Sequence, residues 1–219
     1  MTTRPRLLDL FCGAGGAAMG YHRAGFDVVG VDVDPQPNYP FEFHRAGALG
    51  YVDTHGREFD AIHASPPCQA YSTATPDKSK HPDLVHVVRS ALAWAERPYI
   101  IENVPGAPLH APAMLCGHAF GLTVRRHRLF ETNFPLLSPG CACDSGEPIG
   151  VYGDHPQEAN YRRPDGTRRG AKARTLTEAR DAMGIDWMTW RELTQAIPAA
   201  YTQHIGAMLL AHLAVLEDA

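Results

Sequence analysis

Short apolar runs that each stop at a glycine or proline turn, with helix-spaced residues between them, constrain this chain most. Residues 6–9 and 27–31 read as buried strands flanking a helix predicted over residues 16–24, entered through the turn Phe11-Cys12-Gly13-Ala14-Gly15-Gly16. A third apolar run, residues 60–64, ends at Ser65-Pro66-Pro67, where proline denies the ladder its donors. Over residues 83–96, Leu84, Val87, Val88, Ala91, Leu92 and Ala95 recur at helical spacing and give one apolar face. Residues 99–101 and 128–132 are further strands. Such alternation implies an α/β fold: a mostly parallel sheet with helices on both faces and ligands at the carboxyl ends of the strands.

Residues 133–183 carry Pro, Gly and Arg without a sustained period and read as a loop-rich insertion. In residues 202–216, Ile205, Met208, Leu209, His212, Leu213 and Leu216 fall on one helical face that should dock on the sheet, His212 as a hydrogen-bonded core histidine. At 219 residues the chain can bury roughly 70% of its unfolded surface without staples. With 44% hydrophobic and 20% charged residues it has a globular composition, and no apolar run approaches the roughly 20 residues of a membrane span. No signal peptide is read at the N-terminus, and a cytoplasmic location is expected. Five cysteines, without repeated short spacings, suit free thiols rather than a disulfide scaffold. Cys12 and Cys116 read as buried structural thiols. Cys141-Ala142-Cys143 has no second pair at structural-zinc spacing, so no metal is expected.

Net charge is −4, yet Arg125, Arg126 and Arg128 form one basic knot, and Arg162, Arg163, Arg168, Arg169, Lys172 and Arg174 crowd a Gly- and Pro-containing loop. Phosphate is a plausible partner for both, and a solvated surface loop is the alternative for the second. The turn after the first strand has little side-chain bulk, so backbone can approach a ligand closely. It lacks the dinucleotide fingerprint and the phosphate-loop lysine. Asp32, one strand later, is placed to accept both ribose hydroxyl hydrogens. Cys68 sits on a proline-stiffened loop just past a strand end, an exposed place for a thiol. Glu102 follows the strand Tyr99-Ile100-Ile101 and precedes Asn103-Val104-Pro105, and its carboxyl group should project into the same crevice.

Taken together, Asp9-Leu10-Phe11-Cys12-Gly13-Ala14-Gly15-Gly16, Pro66-Pro67-Cys68-Gln69, Glu102-Asn103-Val104-Pro105 and Val124-Arg125-Arg126-His127-Arg128 resemble, in order, the motifs of the DNA cytosine-5 methyltransferases. The resemblance implies a Rossmann-like class I fold and S-adenosylmethionine (AdoMet) across the first turn. Asp9, Phe11, Cys12, Gly13, Ala14, Gly15, Gly16, Asp32, Val33 and Pro67 would then line the cofactor, with Phe11 near the adenine. It also implies Cys68 as the thiolate that adds to cytosine C6, Glu102 as the acid at N3, and Arg126 and Arg128 as donors to the base O2 and to phosphate or the loop. The arginine knot would lower the thiol pKa. Gln69, Ser72 and the arginine- and lysine-rich loop would contact double-stranded DNA with the target base flipped out. A monomer is expected.

Several positions depart from that pattern: Val33 replaces an aromatic beside the adenine, Gly47 stands where an Asp is usual, and Val124 replaces a glutamine. Arg191-Glu192-Leu193-Thr194-Gln195-Ala196-Ile197-Pro198 resembles the segment after the recognition region, but Gln203-His204-Ile205-Gly206 lacks the usual wording. Three parts are expected: residues 1–132 as the catalytic domain, 133–186 as a reduced target-recognition insertion, and 187–219 returning to the catalytic domain. So small an insertion suits a short or relaxed target, as in stand-alone modification enzymes of bacteria and phages. RNA or a free pyrimidine nucleotide is the rival substrate, and a non-catalytic AdoMet- or DNA-binding partner the rival class.

Overall fold

A computed structural model of the chain describes residues 4–73, 75–141, 143, 147–153 and 171–217. Its elements are β1 (Arg6–Leu10), α1 (Gly16–Ala24), β2 (Asp27–Asp32), β3 (Glu42–Arg45), α2 (Ala48–His55), β4 (Ala61–Ala64), α3 (Val85–Ala95), β5 (Tyr99–Asn103), β6 (Ala113–Leu115), β7 (Arg128–Thr132), β8 (Ile149–Gly150), β9 (Ala171–Lys172), α4 (Leu176–Met183), α5 (Trp190–Gln195) and α6 (Ala199–Glu217). One sheet has the strand order β3-β2-β1-β4-β5-β7-β6, and β8 pairs with β9 in a separate two-stranded sheet. Strands β1 to β5 run parallel, and β7 lies antiparallel between β5 and β6. The chain reverses its order of winding between β1 and β4, which opens a crevice at the carboxyl ends of those strands.

Period-two alternation sends neighbouring strand residues to opposite layers. Leu7 and Ile100 pack with Tyr21, Tyr201, Ile205 and Leu209 under α1 and α6. Leu8, Leu10, Ile62 and Ile101 face Val52, Val88 and Leu92 of α2 and α3. Each such buried aliphatic side chain contributes about 1.5–3 kcal/mol relative to exposure. α1 and α6 meet backbone to backbone at Gly20, where an added Cβ would lie 2.0 Å from Thr202 Oγ1 and 2.2 Å from Ala199 O. The Thr202 hydroxyl donates to Ala17 O across that contact at 2.8 Å.

The helix over 16–24 and the strand over 128–132 stand where the sequence placed them. β5 runs two residues further than expected, so Glu102 lies inside the strand rather than after it, because antiparallel pairing with β7 continues through Asn103. The insertion is less irregular than its composition suggested. It contains β8, β9 and α4, whose first turn is capped by the Thr175 side chain accepting from Glu178 N–H. Together with α5 they build a small core from Val124, Val151, Ala173, Met183, Met188 and Leu193. His212 is half-buried and stacks on Phe134 at 5.5 Å instead of sitting hydrogen-bonded in the core, and Leu216 is exposed because the last turns of α6 overrun the sheet. Residues Ala199–Leu216 are long and apolar enough by length and composition to cross a membrane, contrary to expectation; in this structure their buried face lies on α1.

Candidate active site

The turn after β1 takes left-handed backbone at Phe11, Gly13 and Gly15 (φ 58°, 49° and 84°). Its N–H at Gly13 donates to Asp32 Oδ2 at 3.1 Å, and Asp34 N–H donates to Oδ1 at 3.0 Å, fixing the carboxylate at the end of β2 beside the turn. A Cβ on Gly13 would meet nothing within 4 Å, whereas on Gly15 it would lie 2.8 Å from Pro40 Cδ and 3.1 Å from the Tyr39 ring. The turn therefore has an open side, made by Phe11, Gly13, Asp32 and exposed Val33, and a packed side. On the packed side Ala14 O accepts from Trp187 Nε1–H at 2.9 Å, Gly15 lies under Tyr39, and Gly16 abuts Ile197. Of the expected cofactor residues, Ala14, Gly15 and Gly16 are thus small chiefly to admit protein, and Cys12 is buried as expected. Asp9 is wholly buried with neither carboxyl oxygen hydrogen-bonded; burial first and Asp32 second push its pKa well up, against a pull from the Ala18 amide. The open cradle at Gly13 and the strand-end carboxylate of Asp32 fit a nucleoside cofactor such as AdoMet.

Past β4, the Ser65-Pro66-Pro67 turn delivers Cys68, half-buried, and leaves Pro67 exposed. Asn103 holds this turn to β5: its Nδ2 donates to Pro66 O at 3.0 Å while Oδ1 accepts from Val104 N–H at 2.9 Å. Cys68 O accepts from the N–H groups of Tyr71 and Ser72, each at 2.9 Å. On β5 the Glu102 side chain, 8% exposed, pairs with Arg128 at the start of β7, Nε to Oε1 3.0 Å. Behind it runs a buried chain: Tyr21 Oη to His63 Nδ1 at 2.9 Å, His63 Nε2 to Ser65 Oγ at 2.8 Å, and the Ser65 side chain to Glu102. Burial pulls the His63 pKa down to about 3, so this imidazole is neutral.

Burial raises the Glu102 carboxyl pKa against the pull of Arg128, Ser65 and Arg126. Burial and then the Glu102 charge raise the Cys68 thiol, opposed by Arg128, its own amide and Arg126. The expected lowering of the thiol pKa by the arginine knot is therefore outweighed, first by burial and then by the Glu102 charge. A proton on Glu102 removes one of the two upward pushes, so protonation of Glu102 eases formation of the Cys68 thiolate.

The two arginines carried over from the motif separate in space. Arg126 is half-buried with positive φ (35°), and its guanidinium donates to Ala196 O (2.7 Å), Thr194 O (2.6 Å), Leu193 O (3.2 Å) and Val151 O (3.3 Å). It caps the carboxyl end of α5, whose last carbonyls lack helical partners. These donors tie Arg126 to the end of α5 and to Val151 just past β8, whereas Arg128 pairs with Glu102. A groove of about 300 Å³ beside it is lined by Arg125, Arg126, Arg128, Gly150 and Tyr152. Gln69 has its Oε1 buried without a hydrogen-bond partner, and Ser72 is half-buried nearby. Lys172 Nζ lies 5.4 Å from the ring centroids of both Tyr152 and Trp190, and Arg174 is exposed. Arg162, Arg163, Arg168 and Arg169 lie outside the described residues.

Sequence reasoning gave no role to Asn103, His63, Ser65 or Tyr21. The signal for His63 was a lone polar residue inside the apolar strand Ala61-Ile62-His63-Ala64. It also missed Arg89, which meets Glu131 at 2.7 and 2.8 Å and Pro108 O at 2.8 Å, holding the loop after β5 to the sheet. A last grouping lies apart from these residues. One ligand atom from each of Cys116, His127, Cys141 and Cys143 lies within 4.8 Å of the others.

Residues 5–110 match the family model described as C-5 cytosine-specific DNA methylase. Among curated proteins, the type II methyltransferase M.XorII of Xanthomonas oryzae pv. oryzae is 31% identical over 147 residues, 58% of this chain; the chain spans 31% of that relative's length. Three solved structures share the fold. A protein described as a prophage-encoded DNA modification methyltransferase (E. coli) has TM-score 0.66 at 15% identity over 95% of this chain and 99% of that one. S. pombe Dnmt2 has TM-score 0.64 at 14% identity, covering 96% and 99%. Entamoeba histolytica EhMeth has 0.62 at 13%, covering 97% and 99%.

Proposed function

We propose that this chain, whose residues 5–110 match the C-5 cytosine-specific DNA methylase family model, methylates C5 of cytosine in double-stranded DNA through a covalent bond from Cys68 to C6. The supporting observation is the convergence of Cys68, Glu102 and Arg128 at adjacent strand ends, close enough that both charges act on the thiol. Phe11, Gly13, Asp32 and Val33 would hold AdoMet on the open side of the β1 turn. When bound, AdoMet supplies an electrophilic methyl group.

Carbon 5 of cytosine is a poor nucleophile. Addition of the Cys68 thiolate forms an S–C6 bond and moves electron density toward C5, while Glu102 donates a hydrogen bond or proton at N3. Arg128 keeps Glu102 aimed at the ring and offers guanidinium donors to the base O2. After C5 takes the methyl group, its proton leaves to a base, which can be water, and the returning electron pair expels Cys68. Asn103 fixes the thiol's turn through Pro66 O, and Arg126 fixes the loop that bears Arg128. The target base must leave the duplex to reach this crevice. Residues 133–186 act as a reduced recognition region, with Gln69, Ser72, Lys172 and Arg174 near the strand, and select a short or relaxed sequence.

Incubation with AdoMet and duplex DNA containing 5-fluorocytosine tests the proposal, because fluorine at C5 blocks the final elimination. A denaturation-stable protein–DNA adduct that disappears in Cys68→Ala is expected. A wild-type protein that binds DNA yet forms no adduct would remove the covalent step and favour a binding module.

A further inference from the structure

Away from the proposed crevice, the chain gathers four metal-ligating side chains among the described residues from three separate stretches. β6 and β7 pair with Leu115 opposite Arg128, so the next facing pair at the mouth of this hairpin is Cys116 and His127. The pairing is continued by Gly117 N–H donating to Arg125 O at 2.7 Å. The chain then leaves β7 and folds back over the same mouth. Ser138 Oγ donates to Met114 O at 2.6 Å and Arg125 Nη2 to Cys143 O at 3.0 Å, which seats Cys141 and Cys143 above the pair.

From this we infer that Cys116, His127, Cys141 and Cys143 form a structural zinc site that joins the β6–β7 hairpin to the start of the insertion. The donors are three sulfurs and one imidazole, a soft set suited to tetrahedral zinc with no position left open for substrate. Bond lengths of about 2.3 Å to sulfur and 2.0–2.1 Å to nitrogen require ligand atoms roughly 3.5–3.8 Å apart. Cys116 Sγ lies 3.5 Å from Cys143 Sγ, and Cys141 Sγ 3.4 Å from His127 Nε2. Cys143 Sγ to His127 Nε2 is 3.0 Å and Cys141 Sγ to Cys143 Sγ 2.7 Å, so ligation asks these two cysteines of one loop to part by about an ångström. Thiols are weak hydrogen-bond donors, and hydrogen bonding alone gives little reason to bring three together around one imidazole. Cys116 is wholly buried, which shields one side of the set from water.

The site has a use that the small insertion explains. A segment of few residues and little core gains rigidity from a metal where a larger one relies on packing. His127 lies between Arg126 and Arg128, so the same ion would hold the arginine loop from its outer side while Arg126 holds it from within.

Metal analysis of the untagged protein, purified in zinc-supplemented buffer and then desalted, tests this independently of methyl transfer. About one zinc per chain is expected, and cobalt exchange should give the intense visible bands of tetrahedral thiolate ligation. Cys68→Ala should keep both signals while losing transfer. Cys141→Ser, on the exposed loop, should weaken the thiolate–cobalt bands, and Cys141→Ser with Cys143→Ser should abolish stoichiometric binding. Wild-type protein that takes up neither zinc nor cobalt would overturn the inference, as would a full equivalent retained in the double variant or a Cys141–Cys143 disulfide in the metal-free protein.

Discussion

Replacing Arg128 by Met removes the guanidinium 3.0 Å from Glu102 while leaving that carboxyl group 8% exposed. Breaking one half of a buried pair costs about 3–5 kcal/mol, against a total stability of about 5–15 kcal/mol. Ser65 and Arg126 still favour the charged form of Glu102, so the lower end, about 3 kcal/mol, is expected at pH 8. For a domain of this size that corresponds to a fall in Tm of about 6–12 °C. The pH dependence has a definite sign. The folded-state pKa of Glu102 already lies above its ordinary value, so its ionisation opposes folding, and losing Arg128 raises it further. The deficit is complete above that raised pKa and fades below the wild-type folded pKa, where Glu102 is protonated in both proteins. Urea denaturation of wild type, Arg128→Met, Glu102→Gln and the double variant at pH 8 and near pH 4.5 reads both effects. Glu102→Gln added to Arg128→Met should restore much of the loss. A cost under about 1 kcal/mol, typical of exposed pairs, or one unchanged by acid, would refute the buried-pair reasoning.

Four further outcomes are expected. Asp32→Ala should weaken AdoMet binding about 10- to 100-fold by calorimetry, the loss of hydrogen bonds to a charged acceptor; a change under about threefold would move the ribose elsewhere. Gly20→Ala should lower the unfolding free energy from urea titration by about 1–3 kcal/mol or more, since its Cβ would sit 2.0 Å from Thr202 Oγ1, and a neutral effect would contradict the close α1–α6 contact. His63 should stay neutral by NMR from pH 8 to pH 5; because its folded pKa is depressed to about 3, its contribution to stability is intact above about 6.5 and is lost as pH falls below that. Arg126→Lys should loosen the carboxyl end of α5, seen as faster amide exchange beyond it, because one ammonium cannot serve four carbonyls.

Much of the architecture was legible because local signals agreed with tertiary need. The glycine turn after β1 and the apolar alternation around it place α1 without reference to the rest of the chain. β3 was not legible, since Glu42-Phe43-His44-Arg45 is a short edge strand with one half-buried apolar residue. β6 has three residues and exists only because β7 pairs with it. The placement of Cys68 just past β4, Glu102 in β5 and Asp32 at the end of β2 was legible, because each sits in or beside an apolar strand. That of Arg126 was not, because its partners come from residues 151 and 193–196, and no local pattern says that those carbonyls need a donor. The gathering of the thiols was not legible for the same reason: Cys116 and His127 become neighbours through the hairpin.

Base-resolution mapping of 5-methylcytosine in DNA from a methylation-free bacterial host, expressing the chain or its Cys68→Ala variant, tests the central claim most directly. Methylated cytosines in one short or relaxed context with the wild type, and none with the variant, are predicted. Methylation by both, or by neither, would contradict it.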